Sequence, residues 1–223
     1  PLGRPIPGGV QSTQVRYRVR LDDGDPSKVF ANCPTQKVER IDAHTAEITV
    51  SALRPGRPSG NPAAQDAPPT DADRQPNNFI QSDDPKIIAD AREAAGTESD
   101  PWRIAKALEH YVYRAITRKD FTQAFATAAE VAQSREGDCT EHAVYLAALA
   151  RARGIPARVV TGLVYMPKSQ TMGFHLWTEV YIDHRWIPID GTLAHGGVGA
   201  GHLKLAASNL AGISAYGSFL PVV

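Results

Sequence analysis

Apolar and polar residues alternate strictly from Gln14 to Leu21, with Val15, Tyr17, Val19 and Leu21 on one side and Arg16, Arg18 and Arg20 on the other. A period of two over that length predicts a strand with one face buried and the arginines on a solvated outer face, rather than a phosphate-binding stripe. Two further strand-like runs, about 36–41 and 45–53, flank the polar Asp42–His44. Residues 10–53 therefore read as a small antiparallel β unit with His44 at a surface turn. From Arg54 to Pro76 the chain carries six prolines and almost nothing large and apolar. Such a stretch cannot build a core and is expected to run as an extended linker or wrap. The expected organisation is a β unit over 1–53, a Pro-rich linker over 54–78 and a third region over 79–223.

Beyond the linker the period lengthens to that of a helix. Asp84-Pro85 and Asp100-Pro101 each supply an N-cap and a first-turn proline. The first helix is expected to end at Gly96. The second carries an inward stripe of Trp102, Ala105, Leu108 or Glu109, Val112, Tyr113 and Ile116. Thr127 and Glu130 form a capping box for a short helix to Ser134. Asp138 and Glu141 form another, opening a helix of small residues that stops at Gly154. Strand patterns follow at 157–165, 175–182 and 185–190, the last two separated by Asp183-His184. In the Gly- and Ala-rich end, Leu203, Leu205, Leu210 and Ile213 are the expected packing points.

With 42% hydrophobic and 22% charged residues, and Lys+Arg and Asp+Glu equal at 24 each, the composition is that of an ordinary globular chain. The balance gives no reason to expect nucleic acid or an anionic membrane as a partner, and no apolar run reaches membrane-spanning length. Two cysteines differ sharply in context: Cys33 lies in an Asn-Cys-Pro turn and Cys139 opens a helix.

If Asp138 is the N-cap, Cys139 is the first helical residue, beside unpaired backbone N–H groups and the positive end of the helix dipole. That setting favours thiolate, the nucleophilic form; the competing reading is a small buried hydrophobe. A two-residue turn at Asp183-His184 pairs Ile182 with Arg185 and hence Trp177 with Asp190. His175 lies two residues from Trp177 on the same strand, so it shares a face with Asp190, within about 7 Å between β-carbons. A four-residue turn keeps this parity and a three-residue turn destroys it. Cysteine, histidine and aspartate then form a candidate nucleophile, base and orienter set.

Four segments carry a family resemblance. Gly137-Asp138-Cys139-Thr140-Glu141-His142-Ala143, Gly154-Ile155-Pro156-Ala157-Arg158-Val159-Val160, His175-Leu176-Trp177-Thr178-Glu179-Val180 and Trp186-Ile187-Pro188-Ile189-Asp190-Gly191-Thr192 resemble bacterial transglutaminase-like domain proteins. The resemblance is fainter upstream, at Trp102, Tyr113 and Thr127–Val131, and downstream, at His202-Leu203-Lys204. It implies an α+β fold, a papain-like transglutaminase core of helices packed on an antiparallel sheet, with the small β unit N-terminal to it. It also implies that Cys139 is the nucleophile, His175 the base and Asp190 the third member. Protein or peptide substrates are implied, with no cofactor and a cell-envelope or secreted location after removal of any leader.

A zinc site using Cys139, His142, His175 and Asp190 is the rival chemistry, but no CxxC or HxxxH pair supports it. His142 reads better as a buried residue hydrogen-bonded near the helix start; His110, His184, His195 and His202 read as ordinary. Trp177 and Trp186 are expected to wall the sheet. The backbone N–H of Cys139 is one expected oxyanion donor; for a side-chain donor Gln133, Gln123 and Trp102 stay open. The same residues also fit a non-catalytic interaction module that kept the fold.

Overall fold

The computed structural model describes residues 2–56, 60–118 and 126–212. Elements follow in the order β1 (Gln14–Arg20), α1 (Pro26–Val29), β2 (Gln36–Arg40), β3 (Thr45–Ser51), α2 (Pro85–Ala95), α3 (Pro101–Ala115), α4 (Ala128–Ser134), α5 (Cys139–Ala152), β4 (Ala157–Met166), β5 (Thr171–Ile182), β6 (Arg185–Ile189) and β7 (His202–Ser208). They form an α+β fold with one three-stranded sheet, ordered β1-β3-β2, and one four-stranded sheet, ordered β6-β5-β4-β7.

The chain divides into two compact units. The first gathers Pro1–Ala67, Thr161–His175 and Val198–Ala206. Both strand pairs of its three-stranded sheet are antiparallel. Tyr17, Ile48 and Val50 point into a core with Ile6, Phe30, Tyr165, Ala200 and Leu203, whereas Arg16, Arg18 and Arg20 are exposed as their alternation requires. Two polar groups join this core without loss of a hydrogen bond. The Tyr17 hydroxyl donates to the Ala200 carbonyl at 2.8 Å. The buried Gln36 amide donates to the carbonyls of Ala31 and Lys204 at 2.7 and 2.9 Å and accepts from the Lys204 N–H at 2.9 Å.

The second unit gathers Pro68–Val160, Leu176–Gly197 and Ala207–Val223, and holds α2 to α5, β5 from Leu176 onward, and β6. Each helix starts where its cap dictates. Asp84 accepts from the N–H groups of Lys86 and Ile87, Asp100 from that of Arg103, and Thr127 with Glu130 closes a reciprocal box. Helix α5 is buried from Glu141 to Arg151, which its run of alanines permits because small side chains let neighbours approach closely. Arg151 satisfies its buried guanidinium on the carbonyls of Ala157, Gln75 and Asn209, and burial draws its pKa down to about 10. The Thr178 hydroxyl of β5 donates to the Ala143 carbonyl of α5 at 2.9 Å.

Three expectations need correction. Strand β5 begins at Thr171, ahead of the 175–182 span expected for it. A seventh strand occupies His202–Ser208, where only packing points were expected; Leu203 and Leu210 are buried and Leu205 partly so, while Ile213 lies outside the described residues. Tyr113, placed in the buried stripe of α3, is 50% exposed, whereas Trp102 is half-buried. Tyr113 falls at the margin of the face that buries Ala105, Leu108, Glu109 and Val112, and a phenol tolerates water there. Among the described residues no helix is long and apolar enough to cross a membrane.

Candidate functional site

Cys139 is the first residue of α5, half-buried and not in a disulfide. The cap beneath it is the expected reciprocal box: the Asp138 carboxylate accepts from the Thr140 N–H at 2.8 Å, and Glu141 accepts from the Asp138 N–H at 2.9 Å. Glu141 also accepts from the Ala126 N–H at 3.1 Å. It is buried, and desolvation pushes its carboxyl above the ordinary range although the amides of Asp138 and Ala126 pull the other way.

The approach to the cysteine is built from unusual backbone. Arg135 caps α4 with φ 58°, and Gly137 has φ 149°. A β-carbon on Gly137 would stand 2.2 Å from Cβ of Glu141, so glycine alone lets the chain pass over the capping carboxylate. Arg135 is anchored in turn: its guanidinium donates to Asp90 at 2.9 Å and lies 5.8 and 5.4 Å from the ring centroids of Tyr111 and Tyr145.

Strands β5 and β6 pair antiparallel with Ile182 opposite Arg185 and Thr178 opposite Ile189. The connection is therefore two residues long, and Asp183 and His184 both take positive φ, 50° and 62°, the pattern of a type I′ hairpin turn. Without the glycine such turns prefer, the pair still adopts the conformation that the parity required. The ladder ends at Thr178 and Ile189, and its register carried one step further sets Trp177 opposite Asp190. His175 lies two residues earlier on the same unbroken strand and so shares the Trp177 face. The faces are sorted accordingly: Tyr181 packs edge-on to Trp186 at 5.2 Å, and Arg158 stacks over Trp186 at 4.0 Å while donating to Glu179 at 2.8 Å.

His175 and Asp190 are both buried, at 5% and 2% exposure. One carboxylate oxygen of Asp190 accepts from the N–H groups of Thr192 and Leu193, at 2.8 and 3.3 Å. The Asp190 N–H donates to Glu109 on α3 at 2.9 Å. The ring of His202 is buried beside that of His175, with centroids 5.9 Å apart.

Residues 89–191 match the transglutaminase-like superfamily. The chain carries a transglutaminase-like domain. Among solved structures, the chain resembles a candidate cysteine protease from Cytophaga hutchinsonii with a TM-score of 0.59 and 18% identity, covering 90% of this chain and 78% of that one. It also resembles the periplasmic domain of TgpA from Pseudomonas aeruginosa bound to ethylmercury, with a TM-score of 0.50 and 17% identity, covering 83% and 74% respectively. At such identity these likenesses speak for the fold. No curated protein matches the sequence significantly.

The transglutaminase-like domain contains Cys139, His175 and Asp190. Its remaining candidates sort as follows. His142 is buried with Nδ1 against the Asp138 carbonyl, the helix-start role expected of it, which occupies one of the two nitrogens it could offer a cation. His110, His184 and His195 are exposed. Gln133 is exposed on α4, Trp102 is half-buried, and Gln123 lies outside the described residues. Two buried residues were given no role by the sequence reading: His202, read as ordinary although it lies in a fainter stretch of the resemblance, and Glu109, read as one candidate in an apolar stripe. The signal for Glu109 was present, because a carboxylate on a helix face otherwise made of Ala105, Leu108 and Val112 requires partners.

Proposed function

We propose that this transglutaminase-like domain transfers acyl groups through a thioester on Cys139. In this reading the thiolate attacks a carboxamide carbon of a protein or peptide substrate, and the carbon–nitrogen bond breaks. His175, as imidazolium, gives its proton to the departing ammonia or amine. An amine or water then attacks the thioester, His175 takes up its proton, and a new amide or acid leaves as the thiolate reforms. Asp190 orients the imidazole and stabilises its charge. The observation that carries the reading is the two-residue length of the β5–β6 turn, the parity under which alternation along the strands puts His175 and Asp190 on one face. The place of Cys139 as the first residue of α5, at the positive end of the helix dipole, supports it. Peptide-bond cleavage uses the same three groups with water as acceptor. It is the second reading, favoured by the description of the Cytophaga neighbour as a candidate cysteine protease.

Iodoacetamide labelling against pH tests the chemistry. Rapid alkylation of Cys139 near neutrality, slowed markedly in His175→Ala, is the expected result. Labelling that rises only near pH ~8.5 and ignores His175 sinks it and favours a non-catalytic module. Incubation with a glutamine-rich protein and a labelled primary amine then separates the enzymes. Incorporation lost in Cys139→Ala supports crosslinking, and new termini without incorporation support proteolysis.

A further inference from the structure

Glu109 sits on α3 with 1% exposure. Among the described residues no cation pairs with its carboxylate. Four N–H contacts reach it instead. One oxygen accepts from Asp190 at 2.9 Å and Gly197 at 3.0 Å, and the other from Gly196 at 2.9 Å and Gly197 at 3.3 Å. The donors are the first residue and the last two of the 190–197 loop, so a single side chain closes that loop at both ends. One helical turn further on, Val112 meets the same loop: a β-carbon on Gly191 would stand 2.8 Å from its Cγ1. The loop is thus pressed onto one face of α3.

Only a carboxylate meets this demand. An amide at position 109 has one acceptor oxygen and an NH2 that would face a backbone donor. Placing an anion here is costly, and burial pushes the Glu109 carboxyl upward, opposed by the amides of Asp190, Gly197 and Gly196. Asp190 in turn depends on the loop that Glu109 closes. Its Oδ1 is held by the amides of Thr192 and Leu193, and its carbonyl accepts from the Ala194 N–H at 2.8 Å. Backbone and carboxylate of Asp190 are therefore set by two shells of amides, the outer one organised by Glu109.

We infer that Glu109 is a positioning residue for Asp190: its four contacts fix the 190–197 loop so that the Asp190 carboxylate is held in its working orientation. The inference rests on the proposed role of Asp190, and the experiment separates the two. Iodoacetamide alkylation of Cys139 is measured in the wild type, Glu109→Gln, Asp190→Asn and the double variant. Glu109→Gln is expected to slow alkylation on the order of tenfold and to raise the pH of half-maximal rate, as Asp190→Asn does. In the Asp190→Asn background the same substitution changes the rate within about twofold, because it acts through a group already disabled. Equal slowing in both backgrounds marks a merely structural role and overturns the inference, as does an unchanged rate. If Asp190→Asn alone is silent, it is the triad reading that fails, leaving Glu109 nothing to position. Should Glu109→Gln fold too poorly for comparison, amide hydrogen exchange of the wild-type protein decides. Asp190, Gly196 and Gly197 must then exchange slowly and together, and exchange at exposed-loop rates overturns the inference.

Discussion

Asp90 collects more hydrogen bonds than any single structural need would suggest. Its side chain is 1% exposed, and it accepts from Tyr145 at 2.7 Å, Tyr111 and Arg135 at 2.9 Å each, and Lys86 at 2.5 Å. The knot ties α2, α3 and α5 to Arg135, the residue from which the chain turns toward Cys139. Burial acts to raise the Asp90 carboxyl, but the bonds from Lys86, Tyr145 and Tyr111 and the charge of Arg135 prevail, holding it below its ordinary 3.8. A carboxyl depressed on folding contributes stability that is present above the unfolded value and lost as pH falls through the folded one. Asp90→Asn, which leaves Arg135 and Lys86 without their anion, is expected to cost about 3 kcal/mol at neutral pH by urea denaturation. The difference should narrow below pH ~4, where the wild type surrenders the same charge. A gap that is constant with pH contradicts this account.

The β5–β6 hairpin shows what the amino-acid pattern could decide unaided. Its tip holds Asp183 and His184 at positive φ, where a side chain costs on the order of 1 kcal/mol per residue and glycine costs nothing. His184→Gly is therefore expected to raise stability by about 1 kcal/mol, read as a higher melting temperature with the alkylation profile of Cys139 unchanged. A lower melting temperature would mean that the imidazole contributes something at this exposed tip. The hairpin and its register were legible because alternation and turn length are local. So were α2 to α5, whose Asp and Thr caps stand beside the residues they serve. Strand β7 was not legible: its Ala206-Ala207-Ser208 end has weak strand preference, and its neighbour in the sheet, β4, lies far back along the chain.

For the whole molecule the same division applies to the site. The proposed triad of Cys139, His175 and Asp190 was read from capping, parity and motif. Glu109 announced a need for partners but not which ones, because its donors lie 81 to 88 positions away and nothing near it in the chain names them. His202 was hidden likewise; its neighbour His175 belongs to another strand. Long-range partners are the information that a pattern of neighbours lacks, and buried ionisable residues are where that lack is felt most.

The alternating arginines of β1 have a consequence at high concentration. With a formal net charge of +0, the molecule has no overall repulsion to hold identical copies apart. Yet β1 and β2 are the outer strands of their sheet, and an outer strand invites a second chain to dock and extend it. Arg16, Arg18 and Arg20 on β1, with Lys37, Glu39 and Arg40 on β2, are then the local deterrent. Replacing the three β1 arginines by threonine should turn a solution that scatters little light into one that clouds as it is concentrated, with folding intact. A variant that stays clear would show that crowding is resisted elsewhere.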